Sequence, residues 1–255
     1  MEIGINCGHT IEGKGTGAVG YIVESVETRN VGYKVIEKLK ALGHTVVDCT
    51  INKASSSNAY LSRAVELANN TTLDVFVSIH FNAGGGRGVE VYTYEGRQYA
   101  DAVAVCKNIS DLGFKNRGVK AGTGFYVIRK TKAKSMLIEV CFVDTKSDVD
   151  LYNEVGVDKI AQAIVNGILV NAPKSTVEAS KGIYRVQVGA FGKKANAEGL
   201  CAKLKVDGYS TLLVNVNNMY KVQVGAYSVK SNAEKTLKKL HDGGYTDAFI
   251  NYSSK

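Results

Sequence analysis

Tryptophan is absent from this 255-residue chain, proline occurs once and histidine only four times. No stretch comes near the roughly 18 consecutive apolar residues of a membrane helix, so no membrane span is expected. The amino terminus lacks a basic region, a long apolar core and a small-residue cleavage site, so no signal peptide is expected. Synthesis and initial retention in the cytosol follow from that reading. The five cysteines (Cys7, Cys49, Cys106, Cys141, Cys201) are odd in number and form no CxxC pair. That argues against a disulfide framework or a cysteine metal site, and for buried, reduced thiols.

With 45% apolar residues the chain can bury a proper core, and one large plus one small domain is a natural division. The net charge of +8 is unevenly spread. Residues 172–255 hold 13 Lys/Arg against 6 Asp/Glu (net +7), leaving 19 against 18 (net +1) for the rest. A cationic carboxyl-terminal third fits an anionic polymer or surface, although for charge alone a solvated lysine-rich face is the preferred account.

The single proline, Pro173, lies in a polar, small-residue stretch, residues 172–181, that reads as a linker. Before it, residues 1–171 alternate between strand-like segments (2–6, 45–49, 75–79, 88–94, 124–128, 136–141) and helix-like ones (25–42, 58–70, 95–112, 155–170). Such alternation predicts an α/β domain, a mostly parallel sheet with helices on both faces. After it, residues 182–255 contain a repeat: Tyr184-Arg185-Val186-Gln187-Val188-Gly189-Ala190-Phe191 returns as Tyr220-Lys221-Val222-Gln223-Val224-Gly225-Ala226-Tyr227. Each copy reads strand, helix, strand, which predicts a small α+β domain of two βαβ units with helices on one face of a four-stranded sheet. The alternation should put Gln187 and Gln223 on the open face, with Phe191 and Tyr227 at the strand ends. Amides, cations and aromatics there would suit a glycan, and single-stranded nucleic acid would suit them too.

Two histidines stand where an open α/β sheet delivers ligands, at the carboxyl ends of strand-like runs. His9 closes Ile3-Gly4-Ile5-Asn6-Cys7-Gly8, and His80 closes Val75-Phe76-Val77-Ser78-Ile79. Two imidazoles plus one carboxylate form a standard catalytic zinc set, and Glu12, Glu24 and Glu27 are the nearby candidates. Glu139, inside the apolar strand Leu137-Ile138-Glu139-Val140, is a costly placement unless a cation or a partner such as Arg117 or Lys120 meets it. Gly15-Thr16-Gly17-Ala18-Val19-Gly20 is formally GxGxxG. It does not run directly from strand into helix, however, and Asp48 lies 28 residues beyond Gly20, so a loop shaping a cleft is preferred to a dinucleotide site.

Five segments then occur in one familiar order: Ile5-Asn6-Cys7-Gly8-His9, Gly17-Ala18-Val19-Gly20 followed by Glu24, Ser78-Ile79-His80-Phe81-Asn82-Ala83, Asn116-Arg117-Gly118-Val119-Lys120 and Leu137-Ile138-Glu139. Over residues 1–170 the chain resembles the zinc-dependent N-acetylmuramoyl-L-alanine amidases of bacterial autolysins and phage endolysins. The resemblance implies one Zn²⁺ per chain on His9, Glu24 and His80, Glu139 as the catalytic carboxylate, and Arg117 and Asn82 at the substrate. Two departures stand out: no Pro or Ala precedes Gly8, and Thr10 follows His9. Glu27, so near Glu24, leaves the acidic ligand open between the two. Residues 182–252 resemble the sporulation-related repeat (SPOR) domain, which binds peptidoglycan glycan strands. That implies a glycan site at Gln187, Phe191, Gln223 and Tyr227, and peptidoglycan rather than nucleic acid as partner. Without a signal peptide, such an enzyme would reach the wall through a membrane pore or by lysis. A nucleic-acid-binding protein and a wall-binding protein without catalysis are the rival readings.

Overall fold

The computed structural model describes residues 1–172, 182–228 and 230–254, so the expected linker lies outside the described residues but for Ala172. The chain divides into two compact units, Met1–Pro173 and Lys174–Lys255.

The first unit runs β1 (Glu2–Cys7), β2 (Glu12–Gly13), α1 (Glu24–Ala41), β3 (Thr45–Asp48), β4 (Lys53–Ala54), α2 (Ser57–Asn69), β5 (Val75–Asn82), β6 (Val89–Thr93), α3 (Ala100–Ser110), β7 (Asn116–Ala121), α4 (Tyr126–Lys130), β8 (Ser135–Phe142), α5 (Lys146–Val155) and α6 (Val157–Ile168). Six strands form one sheet in the order β3-β1-β5-β8-β6-β7, with β2 and β4 paired apart from it. All neighbours in the large sheet are parallel except β6 and β8. The period of two in β5 assigns its side chains to two different layers. Val75, Val77, Ile79 and Phe81 join the main core with α1, α3 and α6, while Phe76 joins a smaller core with α2 and α4. Ser78, His80 and Asn82 share the Phe76 side by the same alternation.

Three expectations need correction. Residues 124–128 do not form a strand: Tyr126–Lys130 is a short helix burying Val127 and Ile128. A brief apolar run carries no decisive period, and here packing against α2 decided it. The missing strand is the polar edge segment Asn116–Ala121, which extends the sheet beside β6. The helix expected from residue 95 starts only at Ala100, because Glu95 and Gly96 adopt left-handed turn conformations (φ 55° and 71°). All five cysteines are buried, and none is in a disulfide.

The second unit runs β9 (Gly182–Phe191), α7 (Lys194–Val206), β10 (Leu212–Val216), β11 (Met219–Tyr227), α8 (Lys230–Asp242) and β12 (Phe249–Ser254). Its antiparallel sheet has the order β10-β11-β9-β12, so the two repeats interleave. Val186, Val188, Val222 and Val224 form one core with Ala197, Leu204, Ala233 and Leu240 of the helices. No helix among the described residues of either unit is long and apolar enough to cross a membrane.

Candidate metal centre and cleft

Sheet register brings the first pair of groups together. His80 on β5 stands directly opposite Glu139 on β8, and Glu139 in turn opposite Glu90 on β6. Glu24 is the first residue of α1 and is buried. His9 follows β1 with a left-handed backbone (φ 63°), a conformation costing a non-glycine residue about 1–2 kcal/mol. There the chain leaves the strand line and brings its imidazole to Glu24.

His9 Nε2 lies 3.1 Å from Glu24 Oε2, and His80 Nδ1 lies 3.1 Å from Glu24 Oε1. Backbone N–H groups fix the carboxylate from behind: Ala18 donates to Oε2 (2.9 Å) and Phe81 to Oε1 (3.1 Å). One donor atom from each of the three residues falls within 4.8 Å of the others, a group able to hold a metal ion. The outer ring nitrogens set the tautomers. His9 Nδ1 is 3.0 Å from the carbonyl oxygen of Gly15, which only accepts, so Nδ1 carries the hydrogen. His80 Nε2 meets Ser78 Oγ at 3.1 Å, and that hydroxyl donates onward to Asn6 Oδ1 (2.8 Å). With both outer nitrogens donating, both inner nitrogens turn lone pairs towards a carboxylate. Only protons or a cation make that arrangement favourable, and a cation satisfies all three groups at once.

The electrostatics agree. Burial alone would raise the Glu24 carboxyl, but protons carried on the facing nitrogens of His80 and His9 turn these contacts into hydrogen bonds that outweigh it and hold it far below the usual carboxylate range. Burial depresses the His80 imidazole despite Glu24, favouring the neutral, ligating form. Glu139 goes the other way: burial, then the charges of Glu24 and Glu90, push it well above the ordinary value. Its Oε2 has no hydrogen-bond partner among the described residues. His9, Glu24, His80 and Glu139 all line one cavity of about 680 Å³, a size typical of a small-ligand site.

The comparisons with known proteins bear on this geometry. Residues 3–170 match the N-acetylmuramoyl-L-alanine amidase family, and residues 180–251 match the SPOR domain. The chain belongs to the N-acetylmuramoyl-L-alanine amidase family. It is 34% identical over 176 residues to the amidase CwlM of Bacillus licheniformis, covering 66% of this chain and 67% of the relative. A sporulation-specific N-acetylmuramoyl-L-alanine amidase of Bacillus subtilis is 31% identical, with 66% and 67% covered. Two relatives from Clostridium perfringens are 35% and 36% identical, and the matched part spans about half their length (51% and 52%). Among solved structures, the catalytic domain of the CD27L endolysin superposes with a TM-score of 0.62 at 29% identity, over 67% of this chain and 97% of that one.

Within the amidase unit, Asn82 lines the cavity and donates from Nδ2 to Glu90 Oε1 (2.7 Å). Arg117 does not line it. Its Nε is 2.5 Å from Glu90 Oε2, its guanidinium lies over the Phe142 ring, and Lys120 joins the same carboxylate. The cations weighed as partners for Glu139 therefore pair with Glu90 instead. Glu27 faces elsewhere, accepting hydrogen bonds from Tyr152 (2.7 Å) and Asn30 (2.9 Å), and Glu12 is an exposed partner of Lys53. Of the three carboxylates near His9, the fold brings Glu24 to the histidines. The glycine loop packs on this centre: a Cβ on Gly17 (φ 80°) would lie 2.7 Å from Glu24 Oε2 and 2.8 Å from His9 Cγ. That is the reason for glycine there, and it matches the cleft-shaping reading of the loop. Sequence reasoning missed the cleft walls, Asn58 and Tyr60 from α2 and Phe125, Tyr126 and Arg129 around α4. It also missed Arg29 and the Ser78–Asn6 relay. The polar Asn6 and Ser78 inside apolar strands were the available signal.

The SPOR unit corrects another expectation. Register aligns Leu212, Gln223, Gln187 and Phe249 in one row across the four strands, on one face. Yet the two glutamines are only 5% and 7% exposed, while Leu212 and Phe249 flanking them are 57% and 47% exposed. The ladder between β9 and β11 breaks on either side of Gln223, where both central amides are buried. Phe191 and Tyr227 pack partly against the core, and the Tyr227 hydroxyl bonds Thr236 (2.7 Å).

Proposed function

We propose that the amidase unit, residues 1–171, hydrolyses the amide joining the lactyl group of N-acetylmuramic acid to L-alanine in peptidoglycan. In this reading His9, Glu24 and His80 hold Zn²⁺, and residues 172–181 link the unit to a glycan-binding domain, 182–255. The observation that carries it is the meeting of two imidazole nitrogens on one buried carboxylate, with Glu139 Oε2, which has no hydrogen-bond partner among the described residues, in the same cavity. Two histidines and a glutamate with room for a further ligand is a catalytic zinc set. Bound there, zinc supplies Lewis acidity towards a carbonyl oxygen and acidifies water.

The chain's own residues do the rest. Glu139, whose Oε2 has no hydrogen-bond partner among the described residues, accepts a proton from attacking water and returns it to the leaving amine nitrogen, a role contributing roughly 10²–10⁴-fold in rate. Asn82, braced by Glu90, offers its carboxamide at the cavity wall for substrate. The aromatic wall of Tyr60, Phe125 and Tyr126 excludes water and receives sugar and peptide. Arg117 acts behind it by neutralising Glu90. In the second unit, the exposed apolar flanks Leu212 and Phe249 supply stacking surface for sugar rings around the central amides.

The test is metal analysis together with release of free amino-terminal alanine from purified wall sacculi. Glu139→Ala is expected to keep stoichiometric zinc and lose hydrolysis, whereas His80→Ala loses both. Clearing of purified walls by Glu139→Ala would refute the role given to that residue. Retention of the second unit on insoluble peptidoglycan, against nucleic acid across a salt series, tests the partner.

A further inference from the structure

We propose that Arg29 is a positioning residue for the metal centre: it fixes the backbone of His9 and so the place of one ligand. This rests on the reading of His9, Glu24 and His80 as metal ligands.

Arg29 sits on α1, five residues beyond Glu24, and its side chain is buried. Its Nη2 donates to the carbonyl oxygens of His9 (2.8 Å) and Ile51 (3.1 Å). Its Nη1 donates to Gly8 O and Ser25 O (both 2.9 Å) and approaches Thr28 Oγ1 at 3.1 Å, and its Nε donates to Asn52 Oδ1 (3.0 Å). Every acceptor is an uncharged oxygen. One guanidinium thus ties together the end of β1, the first turn of α1 and the segment after β3.

Two of those acceptors are consecutive. In an extended strand, successive carbonyls point to opposite sides, so Gly8 and His9 cannot both face one group while the strand continues. They do so here because His9 is left-handed, at φ 63°. Arg29 rewards that conformation by bonding both carbonyls, one of which an extended His9 would turn away from it. The imidazole's own outer bond, to Gly15, orients the ring but does not hold the peptide. Helix α1 therefore sets two ligands at once: Glu24 by its own side chain, His9 through the backbone grip of Arg29. A lysine cannot replace it, since a point charge with three donors does not reproduce a planar fork with five.

The experiment measures zinc affinity by chelator competition, and the visible spectrum of the Co²⁺-substituted full chain, well below the melting temperature. Wild type is compared with Arg29→Lys, Arg29→Met and Asn52→Ala. Outer-shell losses of this kind lower metal affinity about 10–100-fold, and that range is expected for both Arg29 variants, with an altered cobalt spectrum. Asn52→Ala, which removes one exposed acceptor and leaves the fold intact, should weaken binding in the same direction by a smaller factor. A merely structural arginine would lower the melting temperature and leave affinity and spectrum untouched. Folded Arg29 variants with wild-type affinity would overturn the proposal, and if neither folds, unchanged affinity in Asn52→Ala overturns it. Loss of zinc in His9→Ala alongside full binding in the Arg29 variants would sink this inference alone. A wild-type chain that binds no zinc would sink the metal-centre reading with it.

Discussion

Glu139→Gln should stabilise the metal-free amidase unit at neutral pH while removing its chemistry. The carboxyl is 9% exposed, faces the carboxylates of Glu24 and Glu90 and is pushed well above its ordinary value of 4.5 by burial and those charges. In the unfolded chain it ionises near 4.5, while in the folded chain it keeps its proton to higher pH. The folded state thus binds the extra proton between those two points, and stability falls as pH rises, by about 1.4 kcal/mol per unit. At pH 7 the loss has a ceiling of about 3.4 kcal/mol, 2.5 units above 4.5, because a carboxyl that would cost more simply stays protonated. Glutamine, of nearly the same shape and without the charge, removes that proton-linked loss. At roughly 2–4 °C per kcal/mol for a domain of this size, the melting temperature at pH 7 rises by several degrees and by no more than about 14 °C. Thermal melts of chelator-treated wild type and Glu139→Gln between pH 4 and pH 8 read the effect. The two curves should meet near pH 4 and separate as pH rises, and added zinc should narrow the gap. A glutamine variant that is less stable at pH 7, or a difference that does not change with pH, would refute the reasoning.

Other perturbations separate the two units. Gly8→Ala drives a methyl group into the His80 ring, so it should cost about 1–3 kcal/mol by overpacking and weaken zinc binding, both readable from melts and chelator competition. Leu240→Ala, at a fully buried position in the core of the SPOR unit, should cost about 2–5 kcal/mol. In so small a unit that is enough to abolish retention on peptidoglycan, while hydrolysis of soluble muropeptides persists.

How much was legible beforehand depended on how local each signal was. The parallel α/β unit followed from strand and helix periods over residues 1–171, and the second unit from a repeat visible without any structure. His80 stood out at the carboxyl end of an apolar strand-like run, and Glu139 because a charged residue inside such a run requires a reason. The errors came where local pattern is silent. Phe125 to Ile128 fit a strand or a helix equally well by composition, and only packing against α2 chose the helix. Gln187 and Gln223 pair across β9 and β11, but the ladder breaks on either side of Gln223 and both amides are buried, which a period of two does not reveal.

By itself the order of residues determined the two-unit organisation, the family and the short roster of imidazoles and carboxylates near the carboxyl ends of β1 and β5. Only tertiary structure decided that Glu24, not Glu27, meets both histidines, that Arg117 neutralises Glu90 instead of lining the cleft, and that Arg29 grips the backbone of His9. Those outcomes turn on hydrogen bonds between segments remote in sequence. Such bonds depend on ångström-scale distances in the folded chain, which neither spacing nor periodicity encodes.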